Sequence, residues 1–237
     1  MYDLSRPELS RKTTVVRARD RNLSIAVLIS GTGTNLQAIC NAIDEGKCLA
    51  HVNAVISDNA EAGGLAFAAK RKIPTAVVKL ADHANRAEWD LALAETVAGF
   101  VPDLVVLAGF MKMVGPEMLR RFPGRIINIH PALLPLFPGT DGPGMALAAG
   151  VRLTGTTVHV VDENVDTGPI VAQAAVRVAP DDSRQSLHQR IQEAEHLLLP
   201  EVIDRIARGR VVLEPALRIR HKDNDYSGIL FSLSVKC

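Results

Sequence analysis

Asn128 and His130 stand two residues apart in the run Ile126-Ile127-Asn128-Ile129-His130-Pro131. Side chains alternate along a strand, so the amide and the imidazole project from one face. Two such donors suit a developing oxyanion, and an imidazole can also move a proton near neutral pH. The same pair equally suits a loop that satisfies its own carbonyls. A histidine in a proton-handling role needs an orienter. The segment Asp162-Glu163-Asn164-Val165-Asp166-Thr167-Gly168-Pro169 offers three carboxylates. Asp166, beside the Thr-Gly-Pro bend, is the one best placed to be held rigidly. An aspartate next to His130 is expected to raise its pKa and favour the imidazolium. That arrangement gives a protonated donor plus an anion able to take protons from an attacking amine.

A second candidate is Ser30-Gly31-Thr32-Gly33-Thr34-Asn35, where the first strand feeds the first helix. Glycines let backbone N–H groups approach an anion, and the helix dipole favours negative charge there. Leu36 occupies the position of the third glycine of a dinucleotide fingerprint, and no Gly-Lys-Ser/Thr follows. The loop therefore suits a single phosphate monoester, or is a tight turn in which Thr34 or Asn35 caps the helix. His159, alternating within an apolar strand, reads as a structural histidine. His188 and His196 lack metal-ligand spacing, so no metal is expected.

The elements that must position these residues follow from the periodicity. Apolar runs at 24–29, 51–57, 75–80, 103–108, 125–129, 155–163 and 169–178 read as seven strands. Helical patterns at 35–45, 61–72, 85–100 and 183–208 lie among them. The last carries Leu187, Ile191, Leu198, Val202 and Ile206 as a candidate buried stripe. Alternating strands and helices imply right-handed crossovers in a mostly parallel, Rossmann-like α/β sheet covered on both faces. The short connection between the last two strands makes one of them antiparallel, in the C-terminal half. Residues 1–22 are polar and aperiodic and read as a disordered extension. Residues 23–215 read as one domain, and 216–237 as a tail with no evident role.

Composition narrows the class. Of 237 residues, 47% are hydrophobic and 22% charged, as in an ordinary soluble domain. A net charge of +1 offers no basic face for nucleic acid or anionic membrane. Cys40, Cys48 and Cys237 have no paired spacing, which fits a reducing cytoplasm.

From Ser24 to Gly209 the chain resembles the folate-dependent phosphoribosylglycinamide formyltransferases. The resemblance is carried by SGTGTNLQA (30–38), LAGFMKMV (107–114), NIHPALLPLFPG (128–139), TGTTVHVVDENVDTGPIVAQ (154–173) and RIQEAEHLLLP (190–200). It implies formyl transfer from 10-formyltetrahydrofolate to the amine of glycinamide ribonucleotide, in purine biosynthesis, by direct attack and without a metal. Asn128 and His130 then hold the oxyanion, while Asp166 sets the charge of His130 and handles the proton. Gly33, Thr34 and Asn35 take the phosphate, Glu195 the ribose hydroxyls, and Gly109 and Pro131 border the glycinamide. The folate pocket falls to Met111, Lys112, Met113, Val114, Val161 and Asp162, with Asn128 and Asp166 at its inner end. The expected partners are these two small molecules alone, with the protein a monomer or homodimer.

Three positions depart from the family pattern. Lys112 stands where arginine is frequent. Phe67 stands where some members place an arginine near the phosphate, leaving that contact to Lys70 or Arg71. Asp141 and Gly142 lie in a flexible stretch where many members carry histidines. A formyltetrahydrofolate deformylase shares this catalytic half but usually carries an extra N-terminal domain. Methionyl-tRNA formyltransferase adds a C-terminal domain and a basic face, and a non-catalytic relative would be expected to lack one of the trio.

Overall fold

The computed structural model describes residues 22–215, 217–221 and 230–232. Its elements run, in chain order, β1 (Leu23–Ile29), α1 (Thr34–Asp44), β2 (Ala50–Ser57), α2 (Gly63–Lys70), β3 (Thr75–Val77), α3 (Arg86–Gly99), β4 (Leu104–Leu107), α4 (Pro116–Arg121) and β5 (Ile126–His130). There follow α5 (Gly142–Ala148), β6 (Leu153–Val160), β7 (Ile170–Arg177), α6 (Arg184–Ala207), β8 (Val211–Glu214), β9 (Arg218–His221) and β10 (Leu230–Ser232).

One sheet has the order β10-β7-β6-β5-β4-β1-β2-β3. Strands β1 to β5 are parallel, and β6 runs antiparallel to both β5 and β7. All seven strands read from the sequence are present, with β6 the reversed one. The sheet gains an eighth strand, β10, parallel to β7 at the edge. A separate β8–β9 hairpin runs past the boundary drawn at residue 215. The extension read at 1–22 lies, apart from Asn22, outside the described residues, as does most of 216–237.

Alternation within β1 explains the layers. Ile25, Val27 and Ile29 point into one apolar cluster, and Ala26 and Leu28 into the other. The first cluster is closed by α1, α2, α5 and α6, the second by α3 and α4. All five residues of the stripe expected on α6 are buried in the first. In the second, Trp89 of α3 is fully buried, donates its Nε1–H to Val78 O at 2.9 Å, and lies parallel to Phe110 with ring centroids 6.4 Å apart. Among the described residues no helix is long and apolar enough to cross a membrane.

Strand order reverses between β1, which leads outward to β2 and β3, and β4, which leads the other way to β5. A crevice at the carboxyl ends of strands opens at such a point, and ligands of open α/β sheets bind there. The 30–33 loop after β1 and the 108–115 loop after β4 flank it, and Ser30 N–H donates to Gly109 O at 3.0 Å.

Candidate active site

Asn128 and His130 end β5 on one face, and both line a cleft whose walls also hold Gly109, Met111, Lys112, Met113, Val114, Pro131, Val161, Asp162 and Asp166. The expected trio and the expected folate wall are thus brought together. Antiparallel pairing sets Asn128 opposite His159 and His130 opposite Thr157. His130 is fixed at its backbone by Thr156, whose hydroxyl donates to the His130 carbonyl at 2.9 Å.

The ring of His130 is almost wholly buried. Its Nε2 lies 2.8 Å from Phe137 O and its Nδ1 3.3 Å from Asp166 Oδ2. The loop-satisfying role and the site-building role are therefore both present in one side chain. Two acceptors flanking the ring favour the imidazolium, but burial outweighs them. The pKa of His130 lies below its ordinary value of 6.5, with Asp166 and Phe137 O pulling upward and His159 adding to the fall. This corrects the expectation from sequence: Asp166 does act in the predicted direction, and desolvation wins.

Asp166 is held in a left-handed conformation, φ 55°, and accepts the Gly139 N–H at 2.8 Å. Burial alone pushes its carboxyl up. The closeness of the His159 ring, that Gly139 N–H and the neighbouring His130 imidazole together hold it below the usual carboxylate range. Asp162 clamps the same loop, accepting from Thr167 Oγ1 at 2.8 Å and Asn164 N–H at 3.1 Å. Gly168 closes it: a Cβ there would lie 1.8 Å from Val160 O.

His159, read from the sequence as a structural histidine in an apolar strand, does lie buried in β6 but also borders the site. Its Nε2 lies 3.2 Å from Asn128 Nδ2 and 3.5 Å from Asp166 Oδ1. Its Nδ1 sits 3.1 Å from Val160 O, which takes that ring's N–H and leaves Nε2 to accept from Asn128. One amide hydrogen of Asn128 remains for a ligand. The register of β5 against β6, which places His159 here, is not written in either strand alone.

Of the expected ribotide residues, Asn35 and Glu195 meet between α1 and α6, while Gly33 and Thr34 begin α1. Gly33 is the N-cap of α1 with φ 76°, and no side chain caps that end, so neither Thr34 nor Asn35 serves as the cap. Asn35 Nδ2 instead donates to Glu195 Oε2 at 2.8 Å, while Asn35 Oδ1 is buried without a partner. Glu195 is buried, and that burial raises its pKa to about 7 against the pull of Asn35. Thr34 faces the groove between α1 and α6. Arg71 is turned to Asp44 at 2.5 Å and stacks on Phe67.

The flexible stretch expected around Asp141 and Gly142 is the start of a helix. Asp141 caps α5 through Gly144 N–H at 3.1 Å and pairs with Arg184 Nε at 2.7 Å. Among the described residues no group of histidines, cysteines and carboxylates is arranged to hold a metal ion.

A cleft at the strand-order reversal gathers an amide, an imidazole and a carboxylate, groups whose chemistry suits acyl transfer. A family model described as Formyl transferase matches residues 23–203, and the chain belongs to that family. Phosphoribosylglycinamide formyltransferase from Mycobacterium tuberculosis is 47% identical over 183 residues, covering 77% of this chain and 84% of that one. Trifunctional purine biosynthetic protein adenosine-3 from Bos taurus is 44% identical over 189 residues, 80% of this chain and 19% of its own length. The solved structure of glycinamide ribonucleotide transformylase 1 from Symbiobacterium toebii aligns with TM-score 0.83 at 45% identity, covering 86% of this chain and 96% of that one.

Proposed function

We infer that the protein is a phosphoribosylglycinamide formyltransferase, moving the formyl group of 10-formyltetrahydrofolate to the amine of glycinamide ribonucleotide in purine biosynthesis. The observation that carries the reading is the convergence of Asn128, His130 and Asp166 on one cleft in a chain of this family.

The amine nitrogen attacks the formyl carbon, and the carbonyl electron pair moves onto oxygen. Asn128 offers the amide hydrogen that His159 does not use. His130 sits between Phe137 O and Asp166, a setting built for a protonated ring but starved of solvent. A developing oxyanion supplies the missing negative charge, so proton affinity at His130 rises as the tetrahedral species forms. Asp166, held ionised, takes the proton lost by the attacking amine. The oxyanion pair then re-forms the carbonyl as the N10–formyl bond breaks, N10 takes the proton held by Asp166, and tetrahydrofolate leaves.

The ribotide phosphate fits the Gly33–Asn35 loop, where backbone N–H groups open the N-terminus of α1. Glu195 and the orphaned Asn35 Oδ1 suit a ribose diol. Gly109 and Pro131 then border the glycinamide, and Met111 to Val114 with Val161 and Asp162 wall the folate. We assign residues 23–215 to the catalytic domain.

The deciding assay follows folate product by absorbance, using 10-formyl-5,8-dideazafolate with and without glycinamide ribonucleotide. Product only when the ribotide is present supports the transferase. Product at the same rate without it means that water is the acceptor, and the reading fails.

A further inference from the structure

The folate-side segment 111–113 is irregular and poorly packed: Met111 is 64% exposed and Met113 51%. Burial cannot be what fixes it, so its polar anchors must. At one end Arg86 donates to Met113 O. At the other, Met111 N–H donates to Ser30 Oγ at 2.8 Å, and the Ser30 hydroxyl donates onward to Asp58 Oδ1 at 2.5 Å. Asp58 stands just past β2, its side chain only 8% exposed, and its other oxygen lies 3.7 Å from Lys112 Nζ. Ser30 is further fixed at its backbone, its N–H on Gly109 O and its carbonyl accepting Asn59 Nδ2 at 3.3 Å.

We propose that Asp58 is a positioning residue for the formyl-folate: through Ser30 it fixes the backbone of Met111 and so the pocket wall formed by 111–113. The inference rests on the folate reading of that wall. A hydroxyl can accept from Met111 and donate to only one acceptor at a time, and Asp58 is that acceptor. Without it the Ser30 rotor is released, and the one backbone donor of Met111 loses its fixed partner. Ser30 also opens the phosphate loop, whereas among the described residues no hydrogen bond or ion pair joins Asp58 to 31–35, so Asp58→Ala is the variant that separates the two substrates.

The test compares Asp58→Ala, Asp58→Asn and Ser30→Ala with wild type, reading KM for both substrates, kcat, and the Kd of 10-formyl-5,8-dideazafolate by calorimetry. Losing a hydrogen bond to a charged group predicts a rise of about tenfold in folate KM and Kd for both alanine variants, with kcat and ribotide KM of Asp58→Ala within about threefold of wild type. Asp58→Asn keeps an oxygen for the Ser30 hydroxyl and is expected to remain within about threefold of wild type in every constant. Unchanged folate constants in Ser30→Ala overturn the proposal. So does an Asp58→Asn variant as impaired as Asp58→Ala, which would trace the effect to the charge beside Lys112. A uniform loss of kcat and both KM values with a lowered unfolding midpoint assigns Asp58 to the fold alone. The calorimetric Kd needs no acceptor. It therefore reads the inference even if wild type transfers formyl to water rather than to the ribotide.

Discussion

Glu195 is a carboxylic acid folded into a place where its charge is unwelcome. It is 5% exposed, with Asn35 Nδ2 its hydrogen-bond partner. Its pKa rises from the ordinary 4.5 to about 7. Below pH 4.5 it is protonated in folded and unfolded chains alike and contributes nothing pH-dependent. As pH rises, the unfolded chain releases the proton first, so folding stability is lost progressively until the folded group ionises near 7, and is level beyond. The full loss is about 3 kcal/mol, from 1.36 kcal/mol for each pH unit between the two values. Glu195→Gln removes the charge and keeps an oxygen for Asn35. The ligand-free variant is therefore expected to match wild type near pH 4.5 and to exceed it at pH 8 by up to about 3 kcal/mol, or roughly 6–12 °C in Tm. Denaturant and thermal unfolding of both proteins across that pH range provide the check. A difference that does not change with pH, or a variant less stable than wild type at pH 8, would refute the reasoning. The same variant has lost one of two acceptors for a diol, so its KM for the ribotide is expected to rise.

Replacing His130 by Ala, or Asp166 by Asn, is expected to cut kcat by about 10²–10⁴ while ribotide affinity, measured by calorimetry, survives. Near wild-type turnover in either variant removes the assignment. Gly168→Ala drives a methyl group against Val160 O. It is expected to move the loop that carries Asp166, costing about 1–3 kcal/mol of stability and most of the activity; an active variant of normal Tm would contradict this. Acid acts through the site as well. His130 takes its proton late, so stability falls as pH drops below 6.5 toward its lowered folded value, and Asp166 adds a loss below 3.8 as its own depressed pKa is approached. Wild type and His130→Gln, unfolded between pH 5 and 7, should differ in slope in that sense, and parallel curves would count against the buried neutral ring.

The sequence carried the sheet and the Asn128–His130 face because both rest on alternation, which is local. The stripe on α6 was legible for the same reason. Helix α4 spans six residues, and α5 opens Gly-Pro-Gly, so neither offers enough turns to reveal a period. The β8–β9 hairpin and β10 follow a charged stretch with no pattern of their own. The site's gaps have a different origin. His159 joins Asn128 only through a pairing between strands separated by a helix and its loops. The sign of the His130 pKa depends on how much water the folded ring has lost, and neighbours in sequence do not report that quantity. Asp141 read as loop because its capping partner lies three residues on and its ionic partner, Arg184, begins a distant helix.

Trp89 is the chain's one tryptophan. It lies parallel to Phe110, beneath the Arg86 guanidinium that reaches over to Met113 O. Indole emission responds to a nearby cation and to the stiffness of its surroundings, so the protein carries its own optical probe at the root of the 110–113 wall. No label has to be introduced, and no second indole contaminates the signal. Motion of that wall can be followed in a stopped-flow fluorimeter on the unmodified protein, at the timescale of a single turnover.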